Sequence, residues 1–334
     1  MAGHDNTLPR RSNAAPRTDT AAAGHGDSSA VADPAGRAEG IMAAMPDDME
    51  IVTSVYREGN KGDIPVVLLH AFPVDHRVWD RCAQELIRIS EEEHENYPIF
   101  APDMPGAGMS PLPEPGLTGP VGEDGSYPEA CSRLAASIVM TIKDMGYDRA
   151  VWVGISMGGY LALAIQRLFP ESVAGFVLCD TRAEEDAPEA RAGRLGIASE
   201  ALESHSVSPV LHFARPQKGD SAFKQSAEFV DTFTRWIDEQ SPAGLAWRER
   251  MAAGRRNEVA TLSSVTAPAA VVSGELDRSS GPSVMRPVAE AMVHADVKFY
   301  EIRDSGHFSC FEKPQEVALA IEDAARRASQ TVQR

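Results

Sequence analysis

A chain of 334 residues, 43% hydrophobic and 24% charged, can bury the core of one α/β domain with an insertion, or of two modest domains. Its formal net charge of −17 repels phosphate backbones and anionic lipid surfaces, so neither a nucleic acid nor a membrane is expected as partner. The cysteines Cys82, Cys131, Cys179 and Cys310 lack C-x-x-C spacing, which argues against a structural zinc or a redox pair.

Residues 1–40 consist mostly of small, polar and Pro residues and are expected to form a disordered tail. Arg10, Arg11 and Arg17 are not followed by an apolar run, and no stretch reaches eighteen consecutive apolar residues. A cytoplasmic location is therefore expected. Ordered sequence begins near Ile41. Glu50 to Arg57 has the β-branched content of a strand, and Pro65 to His70 is a continuous apolar run of the kind buried on both faces of a parallel sheet. Similar runs follow at Ile99 to Pro102, Ala150 to Ile155, Val173 to Cys179, Ala269 to Ser273 and Lys298 to Ile302. Amphipathic segments of helical length lie between them, at Trp79 to Ile89, Cys131 to Met145, Met157 to Phe169 and Gln315 to Arg327. The alternation predicts a mostly parallel sheet with helices on both faces. Two intervals interrupt it. Pro111 to Pro128 is dense in Pro and Gly and reads as a long loop, and residues 182–266 hold only helical stretches. The predicted organisation is a core of residues 41–181 and 267–334 with a helical cap, or lid, of residues 182–266.

Gly154-Ile155-Ser156-Met157-Gly158 fits G-x-S-x-G between a buried strand and a helix, the setting of a nucleophile elbow. The serine must stand on a strained turn packed so closely that only small residues fit on either side. A serine hydroxyl needs a base, and His307, in a loop after the last predicted strand, is the expected one. Asp277, in the loop after Ala269 to Ser273, is expected to orient that histidine, with Asp180 after the preceding strand as its rival. A tetrahedral intermediate requires backbone N–H donors, expected from Met157 and Phe72.

The set HAFPVDHRVWD, DMPGAGMS, GISMGG, GELD and SGHF resembles the cofactor-free α/β-hydrolases, in particular the branch of 3-oxoadipate enol-lactonase-like enzymes and small carboxylesterases. The likeness runs from about Ile51 to Ala325 and is weak through the cap. It implies an α/β-hydrolase fold, no cofactor and no metal, and the chain order Ser156, Asp277, His307 matches the family's. It also implies scaffold roles for Asp103 and Ser110. Ala71 stands where the family's H-G-x turn has glycine, and a serine at the elbow separates the chain from haloalkane dehalogenases and epoxide hydrolases, which use aspartate there. The expected activity is cleavage of a small-molecule carboxylic ester through an acyl-enzyme. Enol-lactone or other lactone hydrolysis is the alternative, with an aminopeptidase or a non-catalytic ligand-binding homologue behind it. Trp79, Trp236 and Trp247 are expected either to line the substrate pocket or to pack the cap on the core. Oligomeric state is not legible.

Overall fold

The segments read as strands form one sheet: β1 (Thr53–Arg57), β2 (Val66–Leu69), β3 (Ile99–Pro102), β4 (Ala150–Ile155), β5 (Val173–Cys179), β6 (Ala269–Gly274) and β7 (Val297–Ile302). The computed structural model describes residues 48–332, so the tail read over residues 1–40 lies outside the described residues. The strand order is β1-β3-β2-β4-β5-β6-β7. β1 runs antiparallel to β3 and every other pairing is parallel. Every residue of β2 to β6 is buried, which is why these strands read as unbroken apolar runs and not as alternating ones.

The helices are α1 (Asp80–Glu92), α2 (Pro115–Thr118), α3 (Ala130–Asp144), α4 (Met157–Leu168), α5 (Pro188–Ser204), α6 (Ala227–Asp238), α7 (Pro242–Ala253), α8 (Val259–Leu262), α9 (Pro282–Glu290), α10 (Ser309–Glu312) and α11 (Pro314–Val332). α1 packs on α11 and α3 on α4, the two pairs flanking the sheet. The segment predicted as a loop from Pro111 to Pro128 contains α2, which opens with Pro115 at a position where the missing N–H costs nothing. All four cysteines are buried free thiols. Among the described residues no helix is long and apolar enough to cross a membrane.

Between β5 and β6 the chain is helical, α5 to α8 plus a 3-10 segment at Ser208–Ala214, and α5 lies along α7. The amphipathic spacing of Phe229, Phe233, Trp236 and Ile237 gives α6 one buried apolar face. Ser226 caps it by accepting the Phe229 N–H. α7 is tied to the turn after β2 by Arg248, whose guanidinium is fully buried. It donates to the Val74 carbonyl (2.8 Å) and to Gln240 Oε1 (2.8 Å), and burial lowers its pKa to about 10.

In this topology the carboxyl ends of β2, β4, β5, β6 and β7 lie along one edge of the sheet, since Leu69 pairs with Gly154, Ile155 with Cys179, Cys179 with Val272 and Gly274 with Ile302. Loops leaving parallel strands at that edge are where such sheets place their chemistry.

Candidate active site

Ser156 follows β4 directly and begins α4 from a backbone of φ 51°, ψ −114°, a region that L-residues rarely adopt. The turn is over-determined by its neighbours. The Ser156 N–H donates to the Cys179 carbonyl (3.0 Å), while its own carbonyl accepts from the Gly159 N–H (2.9 Å) and the Thr181 hydroxyl (2.7 Å). A side chain at Gly158 would collide with the Leu69 carbonyl, and one at Gly154 with the Gly158 carbonyl. We therefore expect Gly158→Ala to cost about 3 kcal/mol of stability, the upper range for overpacking, because backbone cannot step aside as a side chain can. A urea midpoint equal to that of the natural protein would contradict this.

The loop after β7 brings His307 to the serine, with Nε2 2.8 Å from Ser156 Oγ, and Nδ1 2.8 Å from Asp277 Oδ2. Asp277 is well satisfied. It accepts the Ser279 N–H (2.8 Å), the Ser279 hydroxyl (2.9 Å) and the Ser280 hydroxyl (2.6 Å). Burial opposes its charge, but His307 and these donors outweigh that and hold the carboxyl well below the usual range. Burial likewise opposes protonation of His307, yet the Asp277 charge and hydrogen bond, with a smaller contribution from Asp180, raise its pKa.

Asp180, the rival acid, makes no hydrogen bond to His307. It is wholly buried and accepts the Gly274 N–H (2.8 Å) and the Ser309 N–H (3.1 Å), joining the end of β5 to the loops that carry Asp277 and His307. Burial, helped by the Asp277 charge, pushes its carboxyl up to about 8. The histidine loop is held from below by Glu312, which accepts the N–H groups of Gly306 (2.8 Å) and Phe308 (3.1 Å) on either side of His307. Phe308 also packs on Phe233 of α6, ring centroids 4.5 Å apart, so the helical segment braces the loop directly.

Phe72 and Met157 line the same cleft as Ser156. Met157 is the first residue of α4, so its N–H belongs to the helix end that has no intrahelical acceptor. The turn bearing Phe72 tolerates Ala71 because that residue is not among the positive-φ positions, and a glycine is not needed there. His70 stitches this turn to the one after β3. Its Nε2 accepts the Met104 N–H (2.9 Å), which leaves the proton on Nδ1 to donate to the Ala71 carbonyl (3.0 Å), and burial lowers its pKa. Asp103 accepts from the His76 N–H (2.9 Å), and the Ser110 hydroxyl donates to the Asp103 carbonyl (2.8 Å), so both hold loop geometry as expected.

The cleft over Ser156 measures about 620 Å³. None of the three tryptophans lines it, which corrects one of the two readings offered for them. Trp79 is fully buried in the core cluster. Trp236 packs on Phe311 at 4.9 Å, and Trp247 donates Nε1–H to the Thr118 hydroxyl (3.0 Å) beside Tyr127. Large aromatic area is used here to seat the helical segment, and the wall facing Ser156 mixes apolar side chains such as Phe213 and Leu276 with polar and charged ones, among them Tyr160, Arg182, His212 and Lys224. Ser279, Ser280, Thr181 and Glu312 escape the motif reading. The two serines carry a faint signal, since hydroxyls two and three residues after an Asp are placed to close an Asx-type turn. Among the described residues one group, Asp75, His76 and Asp103, brings three metal-ligating atoms close together. Asp75 also pairs with Arg77 at 2.7 Å, and Asp103 with His76 at 2.9 Å.

With this geometry in view, three comparisons bear on the chain. Its structure is similar to a thermophilic esterase from Thermogutta terrifontis, with a TM-score of 0.70 and 26% identity over 85% of this chain and 95% of that one. It also resembles the enol-lactonase from Burkholderia xenovorans LB400, with a TM-score of 0.66 and 19% identity over 83% and 97% of the two chains, a likeness of fold. In sequence it is 25% identical over 195 residues, 56% of this chain and 72% of the relative, to a protein of Mycobacterium tuberculosis named provisionally as the non-heme bromoperoxidase BpoC. Residues 66–320 match the model of the alpha/beta hydrolase family, well over half of the sequence, and the chain belongs to that family.

Proposed function

We propose that the protein hydrolyses a carboxylic ester by way of an acyl-enzyme on Ser156. The observation that carries this reading is the pair of hydrogen bonds on opposite sides of one imidazole, Ser156 Oγ to His307 Nε2 and His307 Nδ1 to Asp277 Oδ2, both 2.8 Å. In the proposed reaction His307 takes the Ser156 proton as Oγ attacks the ester carbonyl, and Asp277 stabilises the imidazolium formed. The Phe72 and Met157 N–H groups receive the developing oxyanion. His307 then returns the proton to the departing alkoxide, and a water activated by the same histidine releases the acid. A cleft of about 620 Å³ has the volume of an ordinary small-molecule site. The likeness to an esterase at 26% identity supports the same class.

The direct test is turnover of acetyl, butyryl, octanoyl and hydroxycinnamoyl esters with an enol-lactone included. Ester hydrolysis that outpaces the lactone is expected, and inertness toward every ester contradicts the proposal. A pH prediction accompanies it. The base works only when neutral, and the folded protein raises the His307 pKa above its ordinary 6.5. The rate is therefore expected to fall as pH drops through a midpoint above 6.5, and an acid limb centred below that value would contradict the assignment of His307.

A further inference from the structure

We propose that the substrate carries a carboxylate on its acyl part and that Arg182, at the lip of the cleft, receives it. This rests on the reading of the cleft as the site of ester hydrolysis. The whole chain is strongly acidic, at −17, yet five cationic side chains line the cleft: Arg182, Arg194, Lys224, Arg255 and Arg278. Four of them are paired with carboxylates. Arg194 meets Asp186 and Glu249, Arg255 meets Asp186, and Lys224 and Arg278 both meet Asp220. Arg182 has no carboxylate within ion-pair distance among the described residues. Its Nε and Nη2 both donate to the Ser279 carbonyl, the former at 2.8 Å, which leaves Nη1 uncommitted.

That anchorage is informative because Ser279 is the residue whose N–H and hydroxyl hold Asp277, and Thr181, next to Arg182, donates to the Ser156 carbonyl. An exposed arginine sways freely unless something orders it. Here two bonds to the acid loop fix a guanidinium in the lining of the cleft that holds Ser156, so part of the entropy cost of gripping an anion is already met. The carboxylates around it do not compete. Asp186 and Asp220 are taken as described, Asp277 is held by His307, Asp180 is buried under backbone N–H groups, and Glu185 is exposed to solvent and lies outside ion-pair distance of Arg182. A small recess beside the cleft shares Tyr160, Arg182 and Arg255 with it and adds Arg167 and Arg256 against Glu258. Arg167 is paired with Glu258 there and Arg255 with Asp186. Arg255 is 5% exposed, and its Nε has no hydrogen-bond partner. With the other cations of the cleft paired, Arg182 is the one whose free N–H donor is open to an anion.

The test compares monoethyl glutarate with ethyl valerate, matched in acyl length and differing in the terminal carboxylate, by acid release in a pH-stat. The natural protein should show a kcat/KM ratio of about tenfold or more in favour of the charged ester, the scale of one charge-assisted hydrogen bond. Arg182→Gln should lower that ratio about tenfold, chiefly through KM, and Arg182→Lys should restore part of it. A ratio at or below one in the natural protein, or an equal ratio in Arg182→Gln, overturns the proposal while leaving ester hydrolysis standing. Calorimetry of monoethyl glutarate on Ser156→Ala, with and without Arg182→Gln, reads recognition apart from chemistry. Binding that Arg182→Gln abolishes, in a protein that turns over neither ester, supports the anion site and defeats the hydrolytic reading. Absence of both turnover and binding of monoethyl glutarate overturns the anion site itself.

Discussion

Replacing Ser156 with alanine is expected to lower kcat by roughly 10⁴-fold or more on whichever ester the protein turns over best, while the fold remains intact. The reasoning separates the side chain from the turn that presents it. Oγ makes its hydrogen bond to His307 Nε2, and it is the atom that would attack. The strained backbone is held through main-chain atoms, the N–H to Cys179 and the carbonyl to Gly159 and Thr181, none of which the substitution touches. Alanine carries the same Cβ as serine, so the cost of a φ of 51° is present in both proteins and cancels in the comparison. The melting temperature should stay within a few degrees and substrate binding should persist. A variant that keeps a tenth of the rate would show that another group attacks.

The second large effect separates two buried aspartates. Asp277→Asn is expected to lower kcat by about 10³ to 10⁴-fold, because it withdraws the charge that stabilises the imidazolium and can present an amide N–H where an acceptor is needed. It should also move the acid limb of the pH profile downward, since the Asp277 charge and hydrogen bond offset burial and raise the His307 pKa. The sign is fixed: less negative charge beside the imidazole means a lower pKa, hence activity retained to lower pH on a much reduced plateau. Asp180→Asn should cost far less in rate and mainly in stability. An amide has one oxygen, so it can accept only one of the two N–H bonds from Gly274 and Ser309 without turning its own N–H₂ toward a donor. Equal losses in the two variants would place both carboxylates in one functional network.

How much of this was readable from the sequence differs by element. The strands were legible because β2 to β6 are buried on both faces and write unbroken apolar runs; the exception is β1, which begins at Thr53 instead of Glu50. Pairing with β3 starts only where Thr53 meets Pro102. Ser156, Asp277 and His307 were legible because each sits in a short motif just past a strand, and the parallel topology brings such loops to one edge whatever lies between them. The wall of the cleft was not legible. The tryptophans offered apolar area, but nothing in the spacing of Trp236 shows that α6 turns that residue toward Phe311 instead of the cleft. Glu312 and Thr181 act through backbone N–H and carbonyl groups, and such contacts leave no residue pattern. Arg182 escaped for a related reason: that it lacks a carboxylate partner is a property of its neighbours in space.

The most direct test of the account is whether Ser156 is chemically activated. Incubation with a fluorophosphonate, proteolysis and mass spectrometry should find a single adduct on the peptide bearing Ser156, absent from Ser156→Ala and formed more slowly as pH falls and His307 becomes protonated. Failure to form an adduct in the folded natural protein, or an adduct on a different residue, would contradict the claim that Ser156 is the nucleophile.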